Sequence, residues 1–249
     1  MIVHSPTELT FVGLAGLVAG LARGFSGFGG ALIFVPMASA IMGPKIASAL
    51  LLVIDGTMSL GMLPEGWKRA NRREVFTMVI GALVGIPLGT AVLAFVPSVP
   101  LRWIISIVVL CLLAFLISGW RYRHRPKPHL TISVGGLSGL FGGAAQMSGP
   151  PIVAYWLGGG DRPLTVRANL VLFLGISSAV SAVVYAIGGL LTAQVLLISL
   201  FVGPCYGIGV LIGSKMFTVA NETAFRHICF MLIAISALVG LPLFDGLRP

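Results

Sequence analysis

Two short stretches carry most of the residues able to do chemistry, and both interrupt apolar runs. The first is Arg23-Gly-Phe-Ser26-Gly27-Phe-Gly29-Gly30, inside the apolar block Leu9 to Met42. The second is Gln146-Met-Ser148-Gly149-Pro150-Pro151, inside the block Leu130 to Leu157. Gly27, Gly29 and Gly30 remove side chains where a helix must turn, and Pro150 and Pro151 remove backbone donors, so one half-helix ends and another starts. Free N–H groups at a half-helix N-terminus, reinforced by the macrodipole, attract an anion. Arg23 adds a planar fork of donors, while Ser26, Ser148 and Gln146 add neutral ones. A small oxyanion suits this donor set. The bland reading of Arg23 is a clamp on helix ends or a side chain that snorkels to an interface.

Asp55 stands halfway along the apolar block Ile46 to Leu63, where a carboxyl either carries a proton or holds a permanent ion pair, Arg23 being one candidate partner. Asn169 opens the block Ala168 to Leu191 and reads as a lining residue of a pathway or as an interfacial anchor.

The elements that must position these residues follow from composition. Of 249 residues, 57% are hydrophobic and 9% charged, far below the roughly 25% charged of a soluble domain. The chain therefore reads as an all-α polytopic membrane protein. Its apolar blocks number about eight, the remaining ones being Val75 to Val96, Leu101 to Trp120, Val195 to Met216 and Ile228 to Phe244. They group as four plus four: a first transmembrane repeat 1–120, a basic cytoplasmic linker 121–129 and a second repeat 130–249. At an offset of 122, Gly13 meets Gly135, Gly20 meets Gly142, and Ser26-Gly27 meets Ser148-Gly149, which points to an internal duplication.

Leu9 to Met42 is about 50 Å as continuous helix, too long for one crossing of a core about 30 Å thick. It either crosses once as a broken, tilted helix, giving parallel halves, or re-enters near the midplane, giving inverted ones. Inversion gathers Arg162, Arg167, Lys215 and Arg226 on the face of the basic loops 68–73 and 121–127, leaving Lys45, Arg102 and Arg248 opposite. The positive-inside rule favours that arrangement.

The net charge of +9 does not indicate nucleic acid, because much of it sits in two short loops where it reports orientation in the bilayer. Cys111, Cys205 and Cys229 are isolated in apolar runs and read as packing residues. No Cys/His spacing suits a metal, no Gly-Lys-Ser/Thr follows the glycine run, and no nucleophile–base set appears. Neither an enzyme nor a cofactor is expected. Trp67, Trp103 and Trp120 lie at block ends, where interfacial anchors belong.

The run Gly20-Leu-Ala-Arg-Gly-Phe-Ser-Gly-Phe-Gly-Gly30 with Val35-Pro36, and the run Gly135-Gly-Leu-Ser-Gly-Leu-Phe-Gly-Gly143 with Ser148-Gly-Pro-Pro151, resemble the sulfite exporter TauE/SafE family over essentially the whole chain. The resemblance implies a multi-pass transporter of the bacterial inner membrane that moves sulfite, sulfoacetate or a related organosulfonate. It marks Gly27, Gly29, Gly30, Gly149, Pro150 and Pro151, while Arg23, Ser26, Gln146, Ser148 and Asn169 rest on depth and chemistry. The expected mechanism is export by alternating access, with the anion between two broken helices. The alternative is proton- or sodium-coupled import of a sulfur-containing or carboxylate anion with Asp55 as proton carrier. The bilayer is the other partner, and a homodimer stays open.

Overall fold

The computed structural model describes residues 5–61, 63–120, 127–158, 162–216 and 222–243. Among them the chain is built of helices: α1 (Pro6–Ser26), α2 (Gly30–Met42), α3 (Pro44–Leu60), α4 (Leu63–Arg69), α5 (Arg72–Phe95), α6 (Ser98–Ser118), α7 (Pro128–Ala145), α8 (Gly149–Gly158), α9 (Pro163–Ile187), α10 (Ala193–Met216) and α11 (Glu222–Gly240). Most of the basic linker, residues 121–126, lies outside the described residues, as do 159–161 and the last six positions.

Five helices, not eight, are long and apolar enough to cross a membrane: Pro6–Ser26, Arg72–Phe95, Ser98–Ser118, Leu164–Ile187 and Ala193–Met216. The expected number was too high because apolar composition does not set helix length. The Leu9 to Met42 block splits into α1 and the 13-residue α2. The Leu130 to Leu157 block splits into α7, diluted by five glycines, and the 10-residue α8. The Ile46 to Leu63 block yields a 17-residue helix, and the described apolar part of α11 runs only from His227 to Gly240. The protein is all-α and polytopic with several apolar spans. Ile80, Val84 and Leu88 of α5 and Leu197, Leu200 and Leu211 of α10 face outward with at least half their surface exposed, as lipid-facing side chains do.

The chain forms two compact units, and each draws on both sequence halves. One comprises Met1–Ile54, Val96–Ile117 and Leu191–Pro249, the other Asp55–Phe95 and Ser118–Leu190. In the first unit α1 lies along α10, and in the second α5 lies along α7. Both contacts are glycine seams. Lipid gives helices no hydrophobic reason to associate, so close backbone approach must supply the packing energy. A Cβ at Gly81, Gly85 or Gly89 would run into the carbonyl oxygens of Ile132, Gly136 and Leu140, and one at Gly135 or Gly143 into those of Met78 and Ile86. Across the other seam, Gly20 and Gly24 abut the carbonyls of Tyr206 and Val210, while Gly209 and Gly213 abut those of Leu17 and Leu21.

In the first unit α2 packs on α11, and a proline sets the terms. Pro36 lies inside α2 and has no N–H, so the Leu32 carbonyl loses its normal donor four residues on. Ser236 of α11 replaces it, with Oγ 2.8 Å from Leu32 O and 2.8 Å from Ile233 O. Gly240, one turn along, leaves room where a Cβ would stand 2.8 Å from Pro36 Cβ and 2.9 Å from Ser106 Oγ. Arg102 belongs here too. Read from sequence it was a loop charge, but it is buried in α6, donating from Nε to Gly240 O at 3.1 Å and from Nη2 to Leu241 O at 3.4 Å. A cation at the C-terminal carbonyls of α11 is favoured by the helix dipole.

Gly85→Ala should cost about 2 kcal/mol or more and lower the thermal unfolding midpoint in detergent by several degrees. Gly56→Ala, whose added methyl meets nothing within 4 Å, should leave the midpoint unchanged or raise it, since alanine is the better helix former. Ser236→Ala should cost about 1–3 kcal/mol by orphaning a buried carbonyl. In a Pro36→Ala background, where residue 36 regains its N–H, that cost should shrink, and a double-mutant cycle on unfolding midpoints measures the difference.

Candidate functional site

The first break is closed by left-handed glycine. Gly27 caps α1 at φ 77° and donates its N–H to Arg23 O at 2.9 Å, and Gly29 precedes α2 at φ 96°. These angles suit glycine because no Cβ crowds the following carbonyl. Ser26 does not present a free hydroxyl: Oγ lies 2.7 Å from Ala22 O and also contacts Phe28 O. Its side chain closes the turn. Gly30 starts α2 where a Cβ would stand 2.9 Å from Tyr206 Oη, 3.1 Å from Ala19 O and 3.2 Å from Arg23 Cβ. The start of α2 thus folds against the last turns of α1 and sits beside the stem of half-buried Arg23. Each of the first four residues of α2 carries an N–H, and that of Leu32 is taken by Gly29 O.

The second break has the same outline with different chemistry. The caps Gly27 and Gln146 are 119 residues apart (146 minus 27), as are the helix starts Gly30 and Gly149 (149 minus 30). The glycines at 16, 20 and 24 and those at 135, 139 and 143 keep that spacing. The offset of 122 read from the sequence is therefore three residues out at the breaks: Gln146 takes the place of Gly27, and Ser148 that of Gly29. Gln146 holds the left-handed cap at φ 57°, its N–H donating to Gly142 O at 2.8 Å. It is the only non-glycine residue with positive φ among those described, a conformation costing an ordinary side chain about 1–2 kcal/mol.

Ser148 is buried, with Oγ packed over Gly142, and its carbonyl accepts from Ser138 Oγ at 2.7 Å. Pro150 and Pro151 occupy the first turn of α8, so two of the four N–H groups that a helix start offers are absent. The second break depends on side chains for donors. The amide nitrogen of Gln146 is buried and has no partner at hydrogen-bonding distance among the described residues.

Two expected site residues stand elsewhere. Asn169 is fully buried in α9, and its Oδ1 accepts from the backbone N–H of Asn71 at 2.7 Å, while its Nδ2 has no partner among the described residues. Its hydrogen bond goes to the start of α5. Asn71 caps that helix in a reciprocal pair with Glu74, and Glu74 Oε1 accepts from Trp156 Nε1 at 3.0 Å. Trp156, near the end of α8, packs edge-on to Phe173 at 6.1 Å. Asp55 is half-buried in α3, where one compact unit gives way to the other.

Sequence reading did not single out Tyr185, Tyr206 or Glu74. Tyr185 and Tyr206 are fully buried, and each reaches a break: Tyr185 Oη donates to Gly143 O at 2.7 Å, and Tyr206 Oη stands against Gly30. Their only sequence signal is a phenol within an apolar run, which must find a partner once buried. Among the described residues no group of three His, Cys, Asp or Glu side chains is placed to hold a metal ion.

The sulfite exporter TauE/SafE family matches residues 12–239, a stretch that includes both breaks and both glycine seams. The chain is also 27% identical over 247 residues to the probable sulfite/organosulfonate exporter TauE of Cupriavidus necator, covering 92% of this chain and 94% of that protein. No solved structure matches. With a full-length family match over a polytopic helical fold, the chain belongs to the sulfite exporter TauE/SafE family of membrane transporters.

Proposed function

We propose that this protein is a secondary transporter exporting a small sulfur-containing anion, sulfite or an organosulfonate, across the bacterial inner membrane by alternating access. The observation that carries the reading is the family match running unbroken through both interrupted helices. The first break meets the anion's charge. Arg23 stands beside the start of α2, whose first turn keeps its N–H groups, and a charge-assisted bond there outweighs a neutral one. The second break contributes neutral donors, Gln146 foremost, with Ser148, Gly149, Pro150 and Pro151 shaping the backbone around them. A cell interior negative by about 100 mV favours anion exit by roughly 2.3 kcal/mol per charge, so export needs no coupling ion.

The two halves act as inverted repeats in this proposal, with α1–α2 and α7–α8 as re-entrant pairs. In support, the breaks and glycine triplets share one spacing, and the first helix of each half packs on a long helix of the other.

Labelled sulfite, sulfoacetate, thiosulfate and sulfate should be tested in proteoliposomes under imposed voltage and pH gradients. Saturable, voltage-driven flux of sulfite or a sulfonate is expected. Arg23→Gln should raise the half-saturating concentration by about 10–100-fold, the worth of one charge-assisted hydrogen bond. Dependence on the pH gradient would instead favour coupled import through Asp55. Single cysteines at exposed Lys68 and Lys215, in a background lacking Cys111, Cys205 and Cys229, should both react with an impermeant maleimide from the cytoplasmic side. Labelling from opposite sides would make the repeats parallel.

A further inference from the structure

The cap of α7 is filled by the wrong kind of residue for a cap alone. In the first break the same role falls to Gly27, which takes a left-handed φ without steric cost. In the second, Gln146 takes it and keeps its side-chain nitrogen buried without an acceptor. A strained backbone and an unsatisfied buried donor at one residue are two separate costs, and glycine would remove both. What surrounds the amide explains how it is held. Tyr185 of α9 is fully buried, and its hydroxyl proton is committed to Gly143 O at 2.7 Å, three residues before the cap. The phenol oxygen approaches the Gln146 side chain and fixes which way the carboxamide lies. Ser148 does not compete for the amide, since it is packed over Gly142 on the return strand of the break.

We infer that Gln146 is the neutral donor that meets a substrate oxygen at the second break, and that Tyr185 is the positioning residue that aims it. This rests on the transporter reading above and adds to it a residue that touches no substrate, together with the reason a strained glutamine occupies a glycine position.

The test measures flux of labelled sulfite and sulfoacetate in proteoliposomes, with unfolding midpoints of the same variants in detergent. Gln146→Gly should raise the midpoint by a few degrees, because strain is relieved, while raising the half-saturating concentration about tenfold for loss of one buried hydrogen bond. Gln146→Asn, which tolerates the left-handed cap and keeps a shorter amide, should fold as well as wild type and fall between the two in affinity. Tyr185→Phe should raise the half-saturating concentration about three- to tenfold with maximal flux little changed. In the Gln146→Gly background the same substitution should alter it less than about twofold, since nothing is left to aim.

Saturable wild-type flux with an unchanged half-saturating concentration in Gln146→Gly overturns the role given to Gln146. A Tyr185→Phe effect of equal size in both backgrounds overturns the role given to Tyr185. Absence of wild-type flux of either anion overturns the transporter reading instead.

Discussion

Everything in this structure depends on two pairs of helices whose backbones touch. A membrane interior offers no water to flee from, so helices associate only when they fit, and the closest fit comes from having no side chain at the contact. Along α5 and α7, and along α1 and α10, glycines every fourth residue place one helix against the carbonyls of its partner. The seams also fix where the breaks fall. The α1 seam ends at Gly24 and the cap follows at Gly27; the α7 seam ends at Gly143 and the cap follows at Gln146. Each broken helix is held rigidly up to its last turn and then released to change direction.

The two breaks share a scaffold and divide the chemistry. The first keeps its backbone donors and stands beside an arginine, so it deals in charge. The second loses two donors to Pro150 and Pro151 and leans on the carboxamide of Gln146, so it deals in direction. An anion that must be bound on one side of a membrane and released on the other is better served by one strong interaction and one oriented one than by two strong ones, because each additional charge contact deepens the well from which it must escape.

Much of this was legible in the sequence, for identifiable reasons. Glycine and proline inside apolar runs announce breaks because both residues change what the backbone can do, and the breaks are where they were expected. Segment number was misjudged because hydropathy reports which residues avoid water without saying where a helix stops, so α2, α8 and the described part of α11 were taken for parts of full-length spans. The register between the halves slipped by three residues because glycines recur so often that several offsets give respectable matches, and only cap geometry separates them. Ser26 looked like a donor until its hydroxyl was seen closing its own turn. Arg102 looked like a loop residue because charges usually are, whereas its guanidinium is spent on the end of α11. The left-handed Gln146 and the aim of Tyr185 are tertiary facts with no local signature.

The helix pairings also order events during synthesis. Gly81, Gly85 and Gly89 leave the ribosome shortly before the α7 carbonyls they abut, so that seam can zip while the chain is still growing. The glycine stripe of α1 emerges first of all, and its partner α10 emerges nearly last. Throughout that interval α1 sits in the bilayer with its most adhesive face uncovered, open to any other small-residue helix nearby. The length of that wait, more than the strength of the finished contact, makes α1 the part of the molecule most dependent on assistance from the insertion machinery.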